Sequence, residues 1–152
     1  MEVRKAVIDD INELATLYTE QFRTMKDLQP DFFQEGAQSK EFIQSIIACT
    51  ESDILVLTNG VIIGFVLLQA KETPDFLFFI KHRYAYVMDI IITKDCRGNG
   101  MGSILLKEAK KWATDRELDY LELDVLSNNI NAIQFYKKHG FMDKRQSMFC
   151  KL

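Results

Sequence analysis

Apolar positions recur along the chain at two periods, and the switches between them predict a mixed α/β order. The run EVRKA reads as a short strand. Asp10 followed by Glu13 has the spacing of a capping box, and behind it Ile11, Leu14, Ala15 and Tyr18 share one helical face. FRTMKDLQPDFFQEG, broken by Pro30 and closed by Gly36, is expected as loop with some helix. Phe42, Ile43, Ile46 and Ile47 predict a second helix over 39–49. DILVLT and VIIGFVLLQA are β-branched and apolar, and the Asn59-Gly60 dipeptide between them signals a hairpin. KETPD breaks the second strand, and FLFFIKHR fits neither period.

Residues 84–93 predict another strand, with Val87, Ile90, Ile91 and Ile92 dense enough for both faces to be buried. A helix then runs to about Arg116, with Leu105, Ala109, Trp112 and Ala113 on one side. YLELDVL alternates as a strand through Leu121, Leu123 and Val125. INAIQFYKKH is a short helix stopped by Gly140, where a left-handed residue is wanted, and SMFCKL is expected as a last strand. There is no repeat, low-complexity tract or linker, so one domain over 1–152 is expected, with hairpins first and a β-α-β unit after them.

Composition narrows the class. The 152 residues can bury a full core, and 47% apolar with 27% charged residues is ordinary for a globular chain. A net charge of -3 gives no reason to expect a nucleic-acid partner. Cys49, Cys96 and Cys150 are odd in number and far apart, which fits neither a disulfide framework nor a Cys-x-x-Cys site. His82 and His139 have no partner at ligand spacing, so no metal is expected. MEVRKAVIDD has no apolar signal core, and no stretch reaches the roughly 18 apolar residues of a span. A cytoplasmic, thiol-reduced protein without a membrane role is expected.

Against that plain background RGNGMG stands out, because Gly98, Gly100 and Gly102 alternate between an apolar strand and an amphipathic helix. Glycine within an element costs about 0.5–1 kcal/mol relative to alanine, so unusual dihedrals or a close approach to backbone are needed here. A strand that turns into a helix points several unsatisfied N–H groups at one spot, and the helix dipole favours an anion there. Arg97 adds a fixed charge, so a phosphate-bearing ligand is the natural guest. A P-loop would need Gly-Lys-Ser/Thr, whereas Ser103 and Ile104 follow Gly102. A dinucleotide fingerprint would need its third glycine where Ser103 stands, although Asp119 lies at about the right distance for a ribose contact. A plain tight turn is the remaining reading.

IIITKDCRGNGMGSILL resembles motif A of the GNAT superfamily of N-acetyltransferases, Arg/Gln-x-x-Gly-x-Gly/Ala, through Arg97, Gly100 and Gly102. NNINAIQFYKKHGF resembles a second family motif in register at Asn129, Ala132, Tyr136, Gly140 and Phe141. The resemblance is specific over 84–141 and implies the GNAT acyl-CoA N-acyltransferase fold: a central mixed, mostly antiparallel twisted sheet flanked by helices, with splayed parallel strands at the cofactor site. It implies transfer of the acetyl group of acetyl-CoA to a primary amine of a small molecule or peptide, by direct attack in a ternary complex. A non-catalytic acyl-CoA-binding module of the same fold is the alternative. By resemblance the coenzyme A pyrophosphate lies on Arg97, Gly98, Asn99, Gly100, Met101, Gly102 and Ser103, with Asn129, Ala132 and Tyr136 as further contacts, and amides of Ile90, Ile91 and Ile92 serve the thioester and pantetheine. An amide near Ile91 or Ile92 polarises the carbonyl. Dimers are common in the family, so a homodimer is open.

Acetyl transfer to an amine needs a base, because an alkyl amine of pKa near 10.4 is protonated at neutral pH. It also needs donors for a developing oxyanion and an acid for the leaving thiolate. Tyr136 matches the family tyrosine that protonates the sulfur. Asp89 is the candidate base, acting through water, although the related pattern Glu-Asp-x-x-Val has glutamate where Met88 stands and Tyr86 replaces an upstream glutamate. A water chain ending at Tyr84, Tyr86 or His82 is the other route, and a buried structural aspartate the bland one. Cys96 has no visible base and is expected to be inert. Acceptor recognition is expected from MKDLQPDFFQEG and KETPDFLFFIKHRYA, where Asp27, Asp31, Glu35, Glu72 and Asp75 accompany Phe32, Phe33, Phe76, Phe78 and Phe79. Solvated acids over core phenylalanines, or a dimer surface at FLFF, would account for the same residues.

Overall fold

A five-stranded sheet is the middle layer of the computed structural model, which describes all residues from Met1 to Leu152. Its strands β1 (Glu2–Lys5), β2 (Ser52–Thr58), β3 (Ile62–Glu72), β4 (Arg83–Ile92) and β5 (Leu121–Glu122) lie side by side in chain order. The first four pair antiparallel, and β5 joins parallel to β4. The helices α1 (Ile11–Leu28) and α2 (Lys40–Ala48) cover one face and α3 (Met101–Asp115) the other. On the first side Leu14, Tyr18 and Ile43 meet Ile54, Val56, Phe65 and Leu67. On the second Leu105, Ala109 and Trp112 meet Leu55, Leu57, Val66 and Leu68. Helices on both faces explain why β2 and β3 read as unbroken apolar runs. The short helix α4 (Ile130–Lys138) lies against the start of α3, with the Phe135 ring beside Gly102.

Several local expectations change once the chain is folded. Asp10 and Glu13 do not form the expected cap of α1. The Asp10 carboxylate accepts from Arg4 at 2.7 and 3.0 Å and from the Val7 amide at 2.8 Å, tying β1 to the helix start, while Glu13 accepts from the Ile62 amide at 2.9 Å. The helix α1 continues through FRTMKDL because Phe22 extends the apolar stripe, and it stops before Pro30. The hairpin at Asn59-Gly60 forms as expected, with Gly60 at φ 112°. SMFCKL is not a strand: it pairs with neither outer edge of the sheet, and Met148 and Phe149 are exposed.

Two irregularities in β4 position everything that follows. Leu67 pairs with Asp89 and Leu68 with Val87, so Met88 is an extra residue on the β4 side. This bulge turns Met88 and Asp89 to the same face, that of α1, while Val87 and Ile90 pack toward α3. Beside it, YLELDVL pairs only at Ala85–Leu121 and Tyr86–Glu122. Beyond Tyr86 the two parallel strands part, and β4 is left with an open edge.

Candidate active site

The glycine turn begins at that open edge. Gly98 (φ 77°) and Gly100 (φ 80°) adopt left-handed backbone that side chains disfavour, and a Cβ on either would meet nothing. Gly100 is also the N-cap of α3. The amides of Gly98, Asn99, Gly100, Met101 and Gly102 donate to no backbone carbonyl, whereas those of Ser103 and Ile104 bond back to Gly100. Five unpartnered donors thus converge on the positive end of a 15-residue helix. Arg97 anchors itself through Nε to the Ile92 carbonyl at 2.9 Å, which leaves its terminal nitrogens free beside the turn. Gly102 serves a different purpose from its neighbours: a Cβ there would come within 3.1 Å of the Phe135 ring, so its bareness lets α4 close on α3. Asn129 likewise acts as N-cap of α4, its side chain accepting from the Ala132 amide at 3.3 Å.

Backbone alternation assigns the amides along the open edge. The Ile92 carbonyl faces outward to Arg97, while the amide of Thr93 turns inward to Ile63 at 2.9 Å. The amides of Ile92 and Ile90 therefore face the open edge, and that of Ile91 faces β3. Of the three isoleucines, the two outer ones present their amides to the open edge.

Where the strands part, three hydroxyl and carboxyl groups share one electrostatic neighbourhood. The Tyr18 hydroxyl of α1 donates to Asp89 Oδ2 at 2.7 Å. Burial pushes the Asp89 carboxyl above the ordinary range, and the Tyr18 hydrogen bond pulls partly the other way. Burial, with the charge of Asp89 added, pushes Tyr136 up to about 12. Burial drives Tyr18 higher still, so it is a fixed donor. Sequence reasoning placed Tyr18 only on the buried stripe of α1. Its pairing with Asp89, 71 positions away, has no local signal.

A second set of groups was missed although its signal is present. In YLELDVL the acids alternate with the leucines, and Leu121 and Leu123 pack toward α3. Period two then places Tyr120, Glu122 and Asp124 on the α1 side, level with Tyr84 and Tyr86 of β4. Tyr86 donates to Asp124 at 2.8 Å, and Tyr84 stacks on Tyr120 with centroids 5.1 Å apart. Tyr86 is pushed up to about 12, by burial first and then by the bond to Asp124. A row of acid and aromatic groups so runs along the sheet from Asp89 to Tyr84.

Of the acids expected to recognise the acceptor, three are paired with cations. Glu35 is paired with Arg23 at 3.4 Å, Glu72 with Arg83 at 3.8 Å and Asp75 with Lys81 at 3.2 Å. Phe76, Phe78 and Phe79 pack on one another at the β3–β4 tip, more than roughly 20 Å along the strand from Asp89. His82 stands at the same far end, bonded to Asp119 at 2.8 Å, and is too distant to serve a proton path from Asp89. Asp27 and Asp31 are exposed at the end of α1.

Residues 11–141 match the acetyltransferase (GNAT) family. The chain is 26% identical over 137 residues to an uncharacterized N-acetyltransferase of Archaeoglobus fulgidus, covering 90% of this chain and 89% of that one. In fold it is similar to a mutant of the BH1408 protein from Bacillus halodurans, with a TM-score of 0.95, 23% identity and 100% of each chain covered. It also shares the fold of an aminoglycoside N-acetyltransferase solved in complex with CoA, at a TM-score of 0.73 and 14% identity, over 99% of this chain and 98% of that one. No helix is long and apolar enough to cross a membrane.

Proposed function

The chain belongs to the acetyltransferase (GNAT) family, and from that premise we propose that it moves the acetyl group of acetyl-CoA to a primary amine by direct attack. The single observation that carries this reading is the Asp89 carboxylate, held by the Tyr18 hydroxyl at 2.7 Å and acting by its charge on Tyr136, where β4 and β5 separate beside an open strand edge that leads into five unpartnered amides. The turn fits a pyrophosphate on its own geometry: left-handed glycines bare the backbone, the helix end favours an anion, and Arg97 is held beside it. When bound, acetyl-CoA supplies an activated acetyl group and a thiol to leave.

Each protein group then has one task. The edge amides of Ile90 and Ile92 orient the pantetheine arm and offer donors to the acetyl oxygen. Asp89 takes the proton from the acceptor ammonium, directly or through water. Its raised value suits a base better than an ordinary aspartate, since a base is most effective near the working pH. Tyr136 keeps its proton far above neutral pH and is the donor to the departing sulfur. Tyr18 holds one Asp89 oxygen and leaves the other for the amine.

Calorimetric titration with acetyl-CoA and with NAD, followed by thiol release over an amine panel, tests the proposal. Binding of acetyl-CoA alone with amine-dependent thiol release is expected. Binding without release for any amine would leave a silent acyl-CoA-binding module, and binding of NAD alone would overturn the assignment.

A further inference from the structure

The acid and aromatic row on β4 and β5 already holds an ammonium, and it is the protein's own. Lys144 places its Nζ on the Glu122 carboxylate, 5.4 Å from the Tyr120 ring centre and 5.9 Å from that of Tyr84. Arg145 lies 3.7 Å from the other Glu122 oxygen. The partners differ in kind. The Glu122 side chain is 12% exposed, whereas those of Lys144 and Arg145 are 58% and 72% exposed. The acid is built into the sheet, and the cations reach it from a segment without helix or strand. That segment is otherwise tied down by Lys137–Asp143 at 3.4 Å and by Phe149 edge-on to Phe32 at 4.8 Å. Lys144 and Arg145 are the mostly exposed partners, so another ammonium can take their place on the acid without moving the sheet.

We propose that Glu122, with the stacked rings of Tyr84 and Tyr120, is a subsite for a second ammonium group of the acceptor, and that Lys144 fills it in the free protein. The acceptor class that follows is a long aliphatic diamine or polyamine. Glu122 lies opposite Tyr86, three positions along β4 from Asp89, so the two cationic centres are separated by roughly 10 Å. Tyr86 and Asp124 lie between them and keep the path polar. A carboxylate over two aromatic faces suits an alkylammonium by charge and by cation–π attraction. The inference rests on the proposed acetyl transfer for the position of the reacting amine, but the binding of the second ammonium does not require turnover.

Calorimetry with diaminooctane and with octylamine, on the full chain and on Glu122→Gln and Lys144→Ala, measures the subsite, and thiol release with the same amines runs in parallel. The expected result is a diamine preference of about tenfold, in keeping with one desolvated ammonium contact. It falls toward unity in Glu122→Gln and rises severalfold in Lys144→Ala, where the internal competitor is gone. Equal affinity for the two amines, absence of binding by either, or a preference that survives Glu122→Gln overturns the subsite. A Lys144→Ala protein with unchanged diamine affinity removes Lys144 as the occupant. The binding pattern without thiol release would overturn acetyl transfer and leave the subsite standing, and thiol release without the pattern would do the reverse.

Discussion

The turn at Gly98–Ser103 and the side-chain group around Asp89 flank the open stretch of β4 but are built in opposite ways. The turn offers backbone: amides that donate to nothing, dihedrals that only glycine adopts easily, and an exposed helix end. The Asp89 group offers partly buried side chains: the Tyr18 bond pulls the Asp89 carboxyl down against its burial, and the Asp89 charge adds to the burial that raises both tyrosines. A backbone anion site depends on shape and is damaged by adding atoms. A coupled proton site depends on environment and is damaged by removing a single oxygen. Substitutions in the two regions should therefore separate binding from turnover.

The largest effect is expected from Gly100→Glu, which forces a side chain to φ 80° and brings a negative charge to the anion site. Acetyl-CoA affinity should fall by at least about a hundredfold in calorimetry. Retained affinity would remove the phosphate assignment and with it one side of the comparison. Next, Tyr136→Phe should lower kcat by about a hundredfold while acetyl-CoA affinity changes little. A parallel loss of both would move Tyr136 from proton donor to cofactor contact.

Asp89→Asn should reduce kcat by tens of fold and abolish the acid limb of the pH–rate profile, because the wild-type base is lost as pH falls through its raised value. Its stability should move the other way. A carboxyl bound more tightly to its proton in the fold than in the unfolded chain favours folding at low pH, and that contribution is lost as pH rises through the raised value. The Asn protein should then melt no lower than wild type at neutral pH, and a clear drop would return Asp89 to a structural post. The smallest effect is expected from Tyr18→Phe. Losing the hydrogen bond that pulls Asp89 down should raise the carboxyl further and shift the acid limb to higher pH, with modest change in kcat. An unmoved limb would uncouple α1 from the site.

How much of this was legible in the chain follows from the range of the interactions. RGNGMG could be read as an anion cradle because a strand, a turn and a helix start are fixed by neighbours in sequence. Even there, Gly102 looked equivalent to Gly98 and Gly100, and only the Phe135 ring shows that it is bare for packing. Asp10 and Glu13 had a local pattern that was real as a spacing and overruled as a cap, because Arg4 and the Ile62 amide offered better partners in the fold. SMFCKL had strand alternation, yet it pairs with neither outer edge of the sheet.

The sequence by itself determined the element order as far as α4, the two-sided core of β2 and β3, and the glycine turn, since each depends on periodicity or on dihedrals a few residues apart. Tertiary structure decided the rest. The Met88 bulge turns Asp89 toward Tyr18. The parting of β4 and β5 opens the edge of Ile90 and Ile92. Glu122 is brought under Tyr84 and Tyr120 with an ammonium upon it. Proton affinity and cation binding are set by what surrounds a group in space, and those surroundings come from residues far apart along the chain.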